Sequence, residues 1–169
     1  LLDGINGFAS VATPTAALKN ELTVSAWVKY NALTATYQTI VAREGQFTIA
    51  INSAGQLQFA VQTTSAGGWQ YLGSGAVPAG VWTHVAASYD GVGLRLFVNG
   101  VATSYTAYPG GLITQVAANI PLRLGARSYN PSNPEKFAGT IDEVRVKAGA
   151  MPAPTRYVSP MTFIDPSSS

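Results

Sequence analysis

The chain has 169 residues, with 10 Lys and Arg against 8 Asp and Glu, a length that suits one domain with its own core. Only 11% of the residues are charged and 47% are hydrophobic, which excludes an intrinsically disordered segment and a charge-patterned coiled coil. The net charge of +2 is a small difference between two small numbers and describes no basic face, so nucleic-acid binding is not expected.

No stretch approaches the roughly 18 consecutive apolar residues of a membrane helix, because Ser, Thr, Gln or Asn interrupts nearly every apolar run. Membrane insertion is not expected. The chain opens on Leu1 rather than Met, and the expectation is a piece of a longer protein whose other domains are partners. The absence of cysteine rules out disulfides, thiolate metal sites and a cysteine nucleophile.

Apolar residues recur with a period of two, the mark of half-buried strands. In chain order the predicted strands run from Phe8 to Val11, through the alternating Leu22, Val24, Ala26 and Val28, and from Gln38 to Arg43. Phe47, Ile49 and Ile51 form the next, then Leu57, Phe59 and Val61, then Gln70 to Leu72. Trp82 to Tyr89, Leu94 to Val98, Val101 to Tyr105, Leu122 to Ala126 and Thr140 to Val146 complete the set. Asn99-Gly100 separates two of them and tolerates the positive φ of a tight hairpin turn. Asp90-Gly91 and Ser53-Ala54-Gly55 mark two more reversals. No sustained 3.6-residue stripe appears between Leu22 and Val146, and 17 Gly and 10 Pro punctuate the chain too often for long helices. About eleven short strands predict an all-β fold, a two-sheet antiparallel β-sandwich of jelly-roll type. Beyond Lys147 prolines crowd together and Ser167 to Ser169 close the chain. The division expected is a jelly-roll domain over 1–157 and a Pro/Ser-rich tail or linker over 158–169.

Several segments carry a resemblance. Leu2-Asp3-Gly4 with Phe8 opens the chain, and Leu22-Thr23-Val24-Ser25-Ala26-Trp27-Val28-Lys29 follows. Trp82-Thr83-His84-Val85-Ala86 leads to Tyr89-Asp90-Gly91 and Leu94-Arg95-Leu96-Phe97-Val98-Asn99-Gly100. Leu124-Gly125 and Gly139-Thr140-Ile141-Asp142-Glu143-Val144-Arg145-Val146 close it. In their order and spacing these resemble the laminin-G-like branch of the concanavalin A-like lectin/glucanase superfamily, from Leu2 to about Tyr157. The resemblance implies a curved two-sheet sandwich of a secreted or cell-surface protein that binds glycans or proteins. It names no single ligand, so the site is argued from residues.

Glycoside hydrolysis needs an acid and a nucleophile flanking one bond, which a strand provides with carboxylates two residues apart. No Glu-x-Asp-x-Glu run occurs, and Asp142 and Glu143, as strand neighbours, should face opposite ways. The remaining acids, Asp3, Glu21, Glu44, Asp90, Glu135 and Asp165, fall in or near loops or segment ends. The single histidine, His84, is expected to pack on its strand. No catalytic residue is assigned, and the chain is expected not to be an enzyme. A polysaccharide lyase or hydrolase with an unrecognised site is the second alternative.

A structural calcium ion is a further expectation, since calcium takes six to eight oxygens from carboxylates and carbonyls. The resemblance implies Asp142 as its main ligand, joined by Asp3 and the carbonyl of Gly45. Pairing of Asp142 with water or a lysine is the alternative. Gly7 stands where many members of the superfamily have an acidic residue.

Sugar recognition needs flat apolar faces for the pyranose ring and amide, guanidinium or hydroxyl groups for its edges. Trp69 and Tyr71 offer this on one side of a short strand. Arg127, Tyr129 and Asn130 offer it in a polar loop, and Tyr37 is a third, weaker candidate. Rim packing is the alternative for Trp69 and loop anchoring for Tyr129, while Trp27 and Trp82 are expected to pack in the core or sheet. The reading is a noncatalytic binding or adhesion module whose partner is a polysaccharide or surface glycan. A structural domain that contacts a surface protein is the alternative.

Overall fold

The computed structural model describes residues 2–5, 7–12, 18–65, 68–127 and 135–151. The Pro/Ser-rich tail and the boundary at 157 lie outside these residues. Twelve strands appear in order: β1 (Leu2–Asp3), β2 (Ala9–Val11), β3 (Leu22–Tyr30), β4 (Tyr37–Arg43), β5 (Phe47–Asn52) and β6 (Gln56–Gln62). They continue as β7 (Trp69–Ala76), β8 (Thr83–Tyr89), β9 (Gly93–Val98), β10 (Val101–Ala107), β11 (Leu122–Leu124) and β12 (Ala138–Lys147). The first sheet has the order β1-β12-β3-β8-β9-β10 and the second β2-β11-β4-β5-β6-β7. Every pairing is antiparallel. The expected β-sandwich is what the chain forms.

Alternation builds the core directly. In β3, Leu22, Val24, Ala26 and Val28 are buried, and the same phase brings Val85, Ala87 and Tyr89 of β8 and Leu94 and Leu96 of β9 onto the same inner face. The second sheet answers with Phe47, Ile49 and Ile51 of β5, Leu57, Phe59 and Val61 of β6, and Leu72 of β7. Apolar side chains from two sheets interdigitate here. Truncation of a buried ring such as Phe59 to alanine costs about 3–5 kcal/mol.

Two departures from strict alternation matter. A bulge between Thr39 and Val41 lets both Ile40 and Val41 reach the core, which a period of two does not anticipate. Its neighbour Gln38 is fully buried and satisfied: its Nε2 donates to the Ala32 carbonyl (2.5 Å) and its Oε1 accepts the Ala138 N–H (2.9 Å). A second bulge lies between Asp142 and Arg145, where Glu143 has φ 46°. Asp142 and Glu143 are both exposed, so the expected facing of these two carboxylates to opposite sides is suspended by the bulge.

The Asn99-Gly100 hairpin forms as anticipated, with φ of 49° and 77° at its two turn residues. Asn99 is doubly tied to β8: its N–H donates to the His84 carbonyl (2.7 Å) and its Oδ1 accepts the His84 N–H (2.9 Å).

Candidate functional site: an aromatic-walled trough on one sheet face

The outer face of the second sheet presents cross-strand rows fixed by register. One row runs Arg123, Ala42, Thr48, Ala60, Tyr71, spanning four strand spacings, or about 19 Å. Beside it runs Thr39, Ala50, Gln58, Gly73. The Gln62–Trp69 pair lies at one end and the Tyr37–Asn52 pair at the other. Ala42, Ala50, Ala60 and Thr39 are buried although they face away from the core. Small side chains between taller ones are shielded in this way, and we refer to this Ala/Thr floor with its taller flanking residues as the trough. Tyr71, 60% exposed, stands as its most open aromatic.

At one end of the trough the aromatic and charged groups converge. The Trp69 and Tyr71 rings lie 6.2 Å apart at an interplanar angle of 31°, and the Arg127 guanidinium lies 5.8 Å from the Trp69 ring centre. That guanidinium also contacts two carboxylates, Glu44 Oε2 at 3.4 Å from Nε and Glu135 Oε1 at 3.6 Å from Nη1. The second carboxylate reaches the floor, where Thr39 Oγ1 donates to Glu135 Oε2 (3.2 Å). The backbone repeats this tie, Thr39 N–H donating to the Glu135 carbonyl (2.9 Å). Arg123 Nη1 donates to the Arg127 carbonyl (3.3 Å), steadying the loop that carries the guanidinium. Such partly exposed ion pairs contribute little to stability; their effect is to hold Arg127 in one orientation.

Of the residues anticipated as ligand contacts, Trp69, Tyr71 and Arg127 are brought together, and Tyr37 lies on the same face at the far end of β4. Tyr129 and Asn130 lie outside the described residues. Glu44, Glu135, Arg123 and the floor residues were not anticipated as parts of this site. Ala42, Ala50 and Ala60 hold a detectable signal, because they occupy the outward phase of strands where larger polar residues are usual. Glu44 and Glu135 are 91 positions apart, and only the fold joins them.

Two of the anticipated calcium ligands, Asp3 and Asp142, lie apart along β12. Asp3 pairs with Ala138, four residues along β12 from Asp142, or about 13 Å. Asp3 Oδ1 accepts the N–H groups of Ile5 and Gly7 (2.9 Å each), and Asp142 Oδ1 accepts the N–H of Glu143 (2.8 Å). Gly45 lies beyond the Arg43 end of β4, with Val116 and Gln62 as neighbours. Leu2, next to Asp3, instead lies against Gly125, whose N–H reaches the Ile40 carbonyl. Among the described residues no group of three or more His, Asp or Glu could hold a metal ion. One calcium ion shared by Asp142 and Asp3 does not fit this arrangement.

His84 and Trp27 pack together on the outer face of the other sheet, ring centres 5.4 Å apart and edge to face. Burial pushes the His84 pKa below its ordinary value, Arg145 pushes it the same way, and Glu143 opposes them. Trp27 thus packs on its sheet as expected. Trp82 precedes β8 and is 42% exposed.

The chain is thus an all-β two-sheet sandwich with an aromatic and charged cluster on one outer face. A laminin-G family model, that of the concanavalin A-like lectin/glucanases superfamily, matches residues 4–154, and the chain belongs to this family. Among curated protein sequences, none matches it significantly. Three solved structures illustrate the likeness in fold. The IT-sialidase CBM40 of Ruminococcus gnavus bound to α2,3-sialyllactose is 18% identical, with a TM-score of 0.66 and 80% of each chain covered. Domain 4 of the arabinanase AbnA of Geobacillus stearothermophilus, in complex with arabinotriose, is 22% identical, with a TM-score of 0.54 over 90% of this chain and 82% of that one. The LG1–3 region of the laminin α2 chain is 16% identical, with a TM-score of 0.64 over 85% of this chain and 31% of that one.

Proposed function

We propose that this domain is a noncatalytic glycan-binding module of a secreted or cell-surface protein, and that its ligand lies along the trough on the outer face of the second sheet. The observation that carries the reading is the convergence of Trp69, Tyr71 and Arg127 over an Ala/Thr floor. The aromatic faces suit the C–H side of a sugar ring, and the guanidinium, carboxylate and amide groups around them suit its hydroxyls. Structures of like fold that hold sialyllactose or arabinotriose support the ligand class. The two carboxylates nearest the trough, Glu44 and Glu135, both turn to Arg127, and this supports a binding role over an acid–nucleophile pair.

A glycan array tests the reading. Binding to one or more glycans that disappears in Trp69→Ala, with the unfolding midpoint unchanged, is the expected outcome. Release of cleaved product from a polysaccharide would overturn the noncatalytic assignment. A second reading, a protein-interaction domain, has its own observation in the exposed Trp27 and Trp82. A stable protein complex that free sugars do not displace and that Trp69→Ala does not weaken would favour it.

A further inference from the structure

Resting on the glycan-binding reading, we propose that the trough selects neutral, hydroxyl-rich glycans and rejects acidic ones. Among the described residues, the strands and loops of this face carry four charged side chains, Arg123, Arg127, Glu44 and Glu135, which cancel. The nearby cations are engaged elsewhere: Lys136 lies 4.3 Å from the Phe8 ring centre. Arg43 is buried, with Nε on the Ile120 carbonyl (3.2 Å) and Nη1 on Gln46 Oε1 (3.3 Å).

The guanidinium beside the aromatic platform is therefore already matched by two carboxylates. An incoming sugar carboxylate would share that guanidinium with Glu44 and Glu135, and like charges in close approach in a partly dry site are strongly disfavoured. A neutral sugar meets no such opposition. Its hydroxyls can donate to the exposed part of the Glu44 carboxylate, whose Oε2 is buried against Arg127, and accept from the guanidinium, and hydrogen bonds to an ionised partner are the stronger kind. The rest of the face, Gln58, Gln62, Asn52, Tyr37 and Tyr71, supplies uncharged donors and acceptors.

The test is an array and calorimetric titration of the whole chain with neutral oligosaccharides, arabinotriose among them, against sialyllactose and trigalacturonate as acidic probes. The bound ligands are expected to be neutral, with acidic probes at least about tenfold weaker. Affinity should stay constant between about 50 and about 500 mM salt, since no net charge is exchanged. Glu44→Gln, at a half-exposed position, should narrow the gap between acidic and neutral probes by about tenfold, and Glu135→Gln provides a second, independent variant. Preferred binding of sialyllactose or trigalacturonate that weakens with salt would overturn the neutral selectivity and leave the glycan reading intact. Failure to bind any glycan would overturn both.

Discussion

The Tyr108 hydroxyl donates to the Tyr71 carbonyl, so the segment following β10 is fastened to the strand that carries the aromatic platform. Tyr71 is thus held through its backbone carbonyl by a residue just past the edge strand of the opposite sheet. Tyr108→Phe should lower stability by about 1 kcal/mol, the usual net worth of one such bond, as read from a denaturant titration. In the same variant the dissociation rate of a bound glycan should rise, because β7 loses a restraint at the platform.

Gly139 allows the close approach of β12 to β3. A Cβ placed there would lie 2.2 Å from the Lys29 carbonyl oxygen and 2.7 Å from Tyr30 Cα, both backbone atoms that cannot turn aside. Gly139→Ala should destabilise the domain by about 1–3 kcal/mol or more, visible as an early unfolding transition. Gly100→Ala, with nothing within 4 Å of its added Cβ, should lose only what its positive φ demands, about 1 kcal/mol.

The pH dependence around His84 has a definite sign. Its folded-state pKa lies below the ordinary 6.5, through burial first and Arg145 second, so the unfolded chain takes up a proton before the folded one does. Stability from this group is complete above about pH 6.5 and is lost as pH falls toward the lower folded value. Melting of the wild type at about pH 7.5 and about pH 5.5 should show a drop that His84→Gln reduces. An equal drop in both proteins would mean that His84 contributes nothing to it.

Chelation should leave the melting midpoint where it is. Asp3, Asp142 and Gly45 occupy separate places, and the two carboxylates accept local backbone N–H groups. A midpoint lowered by EDTA and restored by calcium would show that an ion binds through other oxygens.

The fold was legible because its signals are local. Alternation in β3, β5, β6 and β8, and Asn99-Gly100 between β9 and β10, each act over a few residues. What escaped was set by contacts distant in sequence. β1 is only two residues long and exists through its pairing with β12, while β7 extends four residues beyond Leu72 because β6 runs alongside it. In the site, Trp69 and Tyr71 could be placed on one side from their spacing of two, and the fold then supplied Arg127. The role of Glu135 could not be read, since it depends on Thr39 lying across from it. The calcium set came from resemblance alone, and the register that places Asp3 opposite Ala138, four residues from Asp142, could not be read from it.

The chain crosses between its two sheets repeatedly, and its opening strand finds its neighbour only in β12. Assembly of such a topology must close very long loops before those closures are rewarded. Refolding from denaturant is therefore expected in the millisecond-to-second range of sandwiches, and the last amides to gain protection from hydrogen exchange should be those linking Leu2 and Asp3 to Gly139 and Ala138.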